Sequence, residues 1–458
     1  MSTSLVIALA TLAGMLLLST VHPPVRRLWV TALVGVKWAL LWLLDYSGLR
    51  AQLLAERGLE HRVLTRPRLV RLAFEDLGST YVKLGQIIAS SPGLFSAAYV
   101  EEFRKVLDRV RPITFEQVQR VVTDELGAAA RELTIEREPL ASASIAQVHA
   151  ARHRDGRELV LKVQRPHIAD RVEADMSIML TIARAANRAV SSIRLANPVG
   201  VVQDFRDTIR SELDFKHEGE NNEEFNRIMQ RRGHTRVCAP KVHWDLTTKR
   251  VLAMERLYGV NVDDVEAIER ADHDAEELLL LGMRAWFQCV MLHGFFHGDV
   301  HAGNLMWLDD GRIGFLDFGI VGRFSEAQRV LVTRYIVAMA TGQYRDLAAV
   351  VMEMGSVPED VDIEALAEDM KQAYGPLRGL SMGQINYGEI LPNILAMSRR
   401  HRVRLPQEFI LIIKQVLYFD RYAKLLAPDL NIFTDPRMMG LLLADVQQVL
   451  APSARGPD

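Results

Sequence analysis

Two short motifs in the second half of the chain combine residues that can bind a metal ion and move a proton. Asp299 and Asn304 are five residues apart in the stretch FFHGDVHAGNL, and Asp317 follows thirteen residues after Asn304, at the start of Asp317-Phe318-Gly319. In phosphoryl transfer a magnesium ion bridges phosphate oxygens and is held by hard oxygen ligands, which Asp and Asn supply. A further Asp can orient the acceptor hydroxyl or water. The spacing therefore predicts phosphoryl-transfer chemistry with magnesium.

A lysine inside an apolar strand pattern is a second candidate. Lys162 stands in LVLKV, where a buried ammonium is costly unless a carboxylate or a phosphate meets it. Taken alone, Lys162 is better interpreted as an outward-facing residue of an edge strand. A protein-kinase catalytic loop and metal loop require a defined order of features. The order is a strand that carries a lysine, then D-x4-N, a turn and D-F-G, as in this chain.

An acidic segment lies between the lysine strand and the next predicted strand, where a kinase fold places the helix that holds the lysine. In SELDFKHEGENNEEF, Asp214 and Glu218 are four residues apart, which predicts one turn on one helix face, with Glu212 pointing elsewhere. The remaining acidic residues are interpreted as a solvated face; they are Glu220, Glu223 and Glu224.

The glycine-rich phosphate loop of protein kinases has no glycine here. The equivalent stretch PLASASIAQVHAA carries Ala141, Ala143 and Ala146 at the corresponding positions. Because alanine does not readily adopt positive φ and its methyl group hinders close backbone approach, we expect a stiffer roof over a nucleotide.

Strand patterns occur in the middle of the chain and helical patterns on either side, which predicts an α+β fold. The first predicted hairpin joins Ile145–Ala150 to Leu159–Val163 through Asp155-Gly156, and the second joins NLMWL to RIGFLDFG through Asp309-Asp310-Gly311. A further strand is predicted at Lys249–Leu257. The main predicted helices are Thr114–Gly127, Val172–Val190, Val201–Met229 and Glu276–His293, followed by mostly helix after Ser325.

The N-terminus carries two apolar runs, Leu5–Leu18 and Leu28–Leu44, separated by HPPVRR. The favoured interpretation is one membrane span followed by a tryptophan-rich interfacial helix, because it keeps both arginines on the cytoplasmic side. Two spans, or two buried core helices, are the alternatives. A formal net charge of −2 argues against nucleic-acid binding, and the two cysteines, Cys238 and Cys289, fit a reducing compartment.

Taken together, the motifs closely resemble the UbiB family of atypical kinases, also called the aarF or ADCK family. The matching pieces are VKLGQ, ASASIAQVH, LVLKVQRP, ELDFKHEGEN, HGDVHAGN and DFG. The resemblance implies a two-lobed protein-kinase-like fold with helical extensions at both ends. The implied regions are a membrane anchor at 1–48, a helical extension at 49–135, an N-lobe at 136–258, a C-lobe with C-terminal helices at 259–450, and a tail at 451–458.

The resemblance also implies residue roles, with ATP and Mg²⁺ as cofactors. Asp299 would be the catalytic aspartate, while Asn304 and Asp317 would hold magnesium. Lys162 would bind phosphates and pair with Glu218. The implied nucleotide-binding residues are Lys162, Glu218, Ala141, Ser142, Ala143, Ser144 and the hinge residues Met254, Glu255 and Leu257. The implied occluding or regulatory residues are Lys83, Gln86, Glu212 and Asp214, with Lys83 near Glu212.

The resemblance implies an ATPase that supports the biosynthesis of isoprenoid quinones, ubiquinone above all, by extracting or presenting hydrophobic intermediates. The expected location is the cytoplasmic membrane, with an N-terminal anchor and a cytoplasmic catalytic domain. Expected partners are membrane lipids, quinone intermediates and their biosynthetic enzymes; a homodimer is left open. The alternatives are a true kinase that phosphorylates a hydroxyl acceptor, and a nucleotide-switched pseudokinase scaffold.

Overall fold

The computed structural model describes residues 23–55, 64–89, 96–103, 105–106, 112–189, 197–270, 274–358, 360–376, 387–403, 407–430, 435–437, 445–446 and 449. The first apolar run and the tail at 451–458 lie outside these residues. The described helices are α1 (Pro23–Tyr46), α2 (Leu49–Ala55), α3 (Arg66–Leu77), α4 (Ser79–Ala89), α5 (Ala97–Phe103), α6 (Phe115–Leu126), α7 (Ile168–Ala189), α8 (Pro198–Glu212), α9 (Phe215–Arg231), α10 (Val265–Arg270), α11 (Ala275–Gln288), α12 (Glu326–Thr341), α13 (Tyr344–Glu353), α14 (Ile363–Tyr374), α15 (Tyr387–Arg400) and α16 (Gln407–Leu426). The described strands are β1 (Leu133–Ile135), β2 (Ala141–Ser142), β3 (Ala146–His153), β4 (Glu158–Gln164), β5 (Val237–Cys238), β6 (Val251–Glu255), β7 (Gly259–Asn261), β8 (Phe295–His297), β9 (Leu305–Leu308), β10 (Ile313–Phe315) and β11 (Val321–Arg323).

The chain forms two compact units. The first unit comprises Met1–Lys216 and His243–Ala253, and the second comprises His217–Val242 and Met254–Asp458. These boundaries differ from the implied lobes, since the segment 217–242 groups with the second unit although it falls within the N-lobe at 136–258. The α+β class is confirmed.

The first unit is built on an antiparallel sheet with the strand order β1-β3-β4-β6, in which β2 also pairs with β3. The predicted hairpin forms as β3 and β4, and Gly156 takes a φ of 97° in its turn. The helix predicted over Thr114–Gly127 forms as α6, and it begins at a capping box of Thr114 and Gln117. Its valines pack on Leu159 and Leu161 of β4, so the strand is fixed from one face by an apolar core.

The second unit contains a four-stranded sheet, β5-β10-β9-β7, and a two-stranded sheet, β11-β8. Strands β9 and β10 form the second predicted hairpin, with Gly311 at a φ of 79°. Helix α11 continues into a π-helical turn at Cys289–His293, which leads directly into β8. Trp286, Trp307 and Phe315 are completely buried in the core beneath these strands. The helices α12 to α16 confirm the helical interpretation of the C-terminal region for the residues that are described.

Helix α1 lies at the N-terminal end of the first unit and buries little of its surface. Within the described part of the chain, Val25–Tyr46 is the one helix long and apolar enough to span a membrane, which by itself is weak evidence. Leu33, Val36, Leu40 and Leu43 of α1 are each more than half exposed. The second apolar run is therefore one continuous helix with an uncovered apolar face.

Candidate functional site

Lys162 is buried, with an exposed fraction of 7%. It lies in β4 opposite Val148 of β3, and β4 is an inner strand of its sheet. The interpretation of Lys162 as an outward-facing residue of an edge strand is therefore wrong. Its Nζ atom lies 5.5 Å from the centre of the Phe215 ring, a cation–π distance. A buried ammonium is costly unless anionic or aromatic partners meet it. Binding of phosphate oxygens by Lys162 remains a prediction.

The alanine-rich loop is a tight turn that closes β2 onto β3. The Ala143 N–H donates to Ala146 O at 2.9 Å, so the turn is closed by the backbone itself. The Arg165 side chain, at the end of β4, donates from Nε to Ala143 O at 3.0 Å and from Nη2 to Ser142 Oγ at 2.9 Å. No loop residue from Ala141 to Ser144 has a positive φ, which explains why this loop forms without glycine.

The Lys-x-Gly-Gln motif lies in α4, and its lysine contacts a buried glutamate. Lys83 Nζ is 3.0 Å from Glu212 Oε1, so the proximity of these two residues is confirmed. Gly85 of the same motif faces Phe103 of α5, and a Cβ atom there would lie 2.8 Å from Phe103 Cδ1. The motif glycine therefore lets α4 and α5 pack closely. The occluding roles of Lys83 and Gln86 remain predictions.

The predicted single helix Val201–Met229 is wrong, and so is the shared helix face of Asp214 and Glu218. The chain leaves α8 after Glu212 and enters α9 at Phe215, which puts Asp214 in the break. Two tertiary hydrogen bonds compete with the helix here: the Gln164 Nε2 amide donates to Leu213 O at 2.7 Å, and the Phe215 N–H donates to Lys249 O at 3.1 Å. Asp214 instead accepts from the Lys216 N–H at 3.2 Å, at the start of α9.

In the second unit, His297 links the two predicted catalytic segments. Its Nε2–H donates to Leu316 O at 2.8 Å, and its Nδ1 accepts the Asp299 N–H at 3.0 Å. The imidazole is fully buried, and this burial lowers its pKa below the usual range. A neutral His297 therefore holds the Asp299 backbone against the segment that follows β10 and carries Asp317.

Asn304 completes the frame around Asp299. Its Nδ2 donates to Asp299 O at 2.9 Å, and its own carbonyl accepts the Leu316 N–H at 2.8 Å. With the amide nitrogen used in this way, the oxygen Oδ1 is the atom that can face a cation, and it is a hard ligand of the kind that Mg²⁺ prefers.

Asp317 has a φ of 56°, one of four described non-glycine residues with positive φ. Its Oδ1 accepts the Gly319 N–H at 3.2 Å. Phe318 is completely buried and lies 4.6 Å from the His297 ring centre. Positive φ at a non-glycine residue is uncommon and occurs at functional sites.

A magnesium site at this position would draw on an amide oxygen as well as a carboxylate. Within the described residues no group of three His, Cys, Asp or Glu side chains could hold a metal ion. The predicted pair, Asn304 and Asp317, supplies one ligand of each kind, and a nucleotide-bound magnesium ion takes further oxygens from phosphates and water.

Glu218 belongs to the second unit and lies beside the Asp317-Phe318-Gly319 segment. It is buried, and its Oε2 would be 3.9 Å from a Cβ atom on Gly319. One turn further along α9, the Asn221 Nδ2 donates to Phe318 O at 3.1 Å. Helix α9 is thus tied to the predicted metal loop. The pairing of Glu218 with Lys162, which belongs to the first unit, remains a prediction.

The predicted hinge coincides with a point where the chain passes from one unit to the other, between Ala253 and Met254. The Glu255 N–H donates to Lys241 O at 2.8 Å, and Met254 Sδ accepts from Asn222 Nδ2 at 3.4 Å. Leu257 packs on the backbone at Gly314. Adenine binding by these residues remains a prediction.

Sequence reasoning missed several residues that hold the site. Arg165 clamps the alanine-rich loop, and Gln415 and Tyr422 of α16 contact the backbone beside Asp299. His297 directly precedes Gly298-Asp299, so its position next to the motif was a usable signal. Gln415 and Tyr422 are more than a hundred residues away in the sequence, so the motif gave no signal for them.

Comparison with protein families gives two matches on this chain. Residues 105–351 match the ABC1 atypical kinase-like domain, and residues 370–431 match the UbiB helical domain. An uncharacterized chloroplastic aarF domain-containing protein kinase of Arabidopsis thaliana is 36% identical, over 89% of this chain and 80% of its own. An uncharacterized protein of Mycobacterium tuberculosis is 41% identical, over 80% of this chain and 76% of its own.

A relative from Cellvibrio japonicus named probable protein kinase UbiB is 34% identical, over 81% of this chain and 68% of its own. A solved structure of a Mycobacterium tuberculosis protein in complex with erythromycin matches with a TM-score of 0.55 and 23% identity. It covers 90% of this chain and all of that one, and it shows likeness of fold alone. The matched domains and these relatives agree with the motifs that contain Lys162 and Asp299. The chain belongs to the UbiB family of atypical, kinase-like proteins.

Proposed function

We propose that this protein is a membrane-associated ATPase of kinase-like fold that uses Mg²⁺-ATP to support isoprenoid quinone biosynthesis. The observation that carries the proposal is a set of hydrogen bonds. Through them His297 and Asn304 join the Asp299 backbone to Leu316, the residue directly before Asp317. A pseudokinase scaffold that only binds nucleotide would not need to fix the backbone of a catalytic aspartate in this way.

Each polar residue has a defined task in this proposal. Lys162 binds phosphate oxygens, Asn304 Oδ1 and the Asp317 carboxylate hold the magnesium ion, and Asp299 orients the attacking water. Bound magnesium would neutralise charge on the phosphates. The alanine-rich loop, held by Arg165, lies over the nucleotide and is less mobile than a glycine-rich loop.

Helix α1 supports the membrane part of the proposal. Lys37 Nζ and Trp38 Nε1 both donate to Asp76 of α3, at 2.6 and 2.8 Å, so the middle of α1 is tied sideways to the first unit. A helix tied in this way is better placed to lie in the interfacial plane than to cross the bilayer, with its apolar face in lipid. The first apolar run then supplies the span.

A basic cavity next to α1 supports an anionic membrane surface as the partner. Its volume is about 570 Å³, and its charged lining residues are Arg26, Arg27, Arg165, Arg171 and Asp170. Arg27 is paired with Asp175 and Arg165 bonds to the alanine-rich loop, so this proposal assigns phosphate head groups to Arg26 and Arg171. In this orientation the N-terminal segment anchors the protein and the catalytic units face the cytoplasm.

The quinone part of the proposal is supported by the names of relatives, such as the probable protein kinase UbiB of Cellvibrio japonicus. The substrates would be hydrophobic quinone intermediates, which ATP turnover extracts from the membrane or presents to biosynthetic enzymes. The kinase names of the relatives favour a second candidate, a true kinase acting on a hydroxyl acceptor.

The test is release of inorganic phosphate from Mg²⁺-ATP by the full-length protein, with neutral or anionic vesicles. Asp317→Asn is the inactive control, and Asp310→Asn, in an exposed hairpin turn, is the matched carboxylate control. We expect vesicle-stimulated hydrolysis that Asp317→Asn abolishes and Asp310→Asn retains. Transfer of labelled phosphate to an acceptor in place of hydrolysis would favour the kinase. Nucleotide binding without any turnover would favour the scaffold.

A further inference from the structure

Gln415 is a completely buried amide in α16, outside the kinase-like domain match and within the residues matched to the helical domain. A buried primary amide is costly unless its donors and its acceptor are all used. The Gln415 amide forms its hydrogen bonds with the loop that carries Asp299 and with its own helix.

The amide contacts the peptide groups on both sides of Asp299. Gln415 Oε1 accepts the Val300 N–H at 2.7 Å, and Nε2 donates to Gly298 O at 2.6 Å. Nε2 also donates to Leu411 O at 3.1 Å, one turn earlier in α16. Because Nε2 faces two carbonyl oxygens and Oε1 faces an N–H group, only one orientation of the amide fits.

Tyr422 adds a third contact, since its hydroxyl donates to Val300 O at 3.0 Å. Together with the bonds from His297 and Asn304, every backbone donor and acceptor from Gly298 O to Val300 O has a side-chain partner. Such complete pairing leaves the Asp299 backbone a single conformation.

Helix α16 is a firm support for this contact. Phe419 and Tyr422 are buried in the core of the second unit, and the Phe419 ring lies 5.7 Å from that of Trp286 in α11. The amide therefore projects from a packed helix, and its position is fixed by the core and not by the loop.

We propose that Gln415, together with Tyr422, is a positioning residue for Asp299, so that the C-terminal helical domain is a working part of the catalytic site. This inference rests on the proposed ATP hydrolysis. Displacing a catalytic group by about 1 Å can cost about 10²-fold in rate, so loss of the amide should lower kcat and leave nucleotide binding intact.

The test compares Gln415→Met and Tyr422→Phe with the matched control Gln288→Met in the full-length protein. Gln288 is another buried helical amide of the second unit, bonded to His234 and Asp445. We expect kcat to fall about 10- to 100-fold in Gln415→Met and less in Tyr422→Phe, with nucleotide affinity unchanged in both. The double variant should lose little beyond Gln415→Met, since both residues act on one loop. Gln288→Met should lose stability but keep kcat.

Equal kcat values in Gln415→Met and Gln288→Met would overturn the proposal. If Gln415→Met does not fold, Tyr422→Phe decides, because it removes one hydroxyl and an unchanged kcat there would count against positioning. Hydrogen exchange separates this proposal from the proposed function. Even if the parent protein does not turn over ATP, the backbone amide hydrogens of residues 298–301 should exchange faster in Gln415→Met than in Gln288→Met. Equal exchange rates would refute the positioning role of Gln415.

Discussion

Arg27 in α1 and Asp175 in α7 form an ion pair whose carboxylate is completely buried and whose guanidinium is 13% exposed. Arg27 Nη2 lies 3.0 Å from Asp175 Oδ2, and the same nitrogen donates to Leu77 O at the end of α3. One arginine thus connects the apolar N-terminal helix to two helices of the first unit. This buried pair therefore links the position of α1 to the packing of the first unit.

Arg27→Met should destabilise the first unit by about 3–5 kcal/mol, because it leaves the Asp175 carboxylate buried without its charged partner. Lys37→Met removes the more exposed pair with Asp76, whose side chains are 53% and 36% exposed, and should cost less than about 1 kcal/mol. Urea unfolding of both variants in detergent measures the difference. Equal losses would show that burial of Asp175 is not what makes the first pair important, and Asp175→Asn should recover part of the loss in Arg27→Met.

Ala143→Gly should loosen the roof over the nucleotide and change nucleotide preference. Ala143 O is held by the Arg165 side chain, and glycine would free the backbone between this contact and the closing bond to Ala146. Equilibrium binding of ATP, ADP and GTP to Ala143→Gly and to Ala141→Gly, an exposed position at the start of the loop, measures the effect. Affinity and selectivity identical to those of the parent protein would contradict a stiffening role for alanine.

Sequence alone predicted the parts of the fold that depend on local patterns. The hairpins through Gly156 and Gly311 require positive φ, and the chain supplies Asp-Gly at both turns. The helix predicted over Thr114–Gly127 likewise forms as α6, with Thr114 as its N-cap. Local rules and tertiary structure agree at these points, so the predictions were confirmed.

The errors arose where distant contacts override local preference. The segment after Glu212 has a helical pattern, but the helix is broken by hydrogen bonds from Gln164 and to Lys249, which are far away in the chain. The pattern around Lys162, taken alone, favours an exposed lysine, and its assignment to the nucleotide came from the order of the motifs and from the resemblance. Its burial depends on β3 and β6, which flank β4. Gln415 could not be found because its partner loop is more than a hundred residues away.

Asp317→Asn should weaken magnesium-dependent nucleotide binding without unfolding the protein. Asparagine adopts positive φ about as readily as aspartate, so the backbone at 56° is tolerated. A charge-assisted contact is worth about 1.5–3 kcal/mol, which corresponds to a loss of about 10- to 100-fold in Mg²⁺-ATP affinity. Titration with nucleotide in the presence of Mg²⁺ or EDTA measures it. If the ratio of the affinities with Mg²⁺ and with EDTA is the same in the variant as in the parent protein, Asp317 does not bind the metal ion.

The stability of the second unit should fall as the pH is lowered below about 6.5, the usual pKa of histidine. His293, in the π-helical turn before β8, accepts a hydrogen bond from Arg232 Nε at 3.2 Å and must be neutral to do so. Its burial, with the nearby arginines, lowers its pKa to about 4. Between pH 6.5 and 4 the unfolded chain therefore binds more protons than the folded chain, so acid favours unfolding.

His293→Gln separates this effect from other titrations, because glutamine keeps an acceptor for Arg232 but cannot be protonated in this range. His293 is only partly buried, so its share at pH 5 should be at most about 1 kcal/mol after allowing for solvent screening. Urea midpoints measured at pH 7.5 and 5 should converge for the parent protein and the variant as the pH falls. His297, whose pKa is also lowered by burial, should make both proteins less stable in acid. A constant gap between the two proteins at both pH values would show that His293 does not titrate on unfolding.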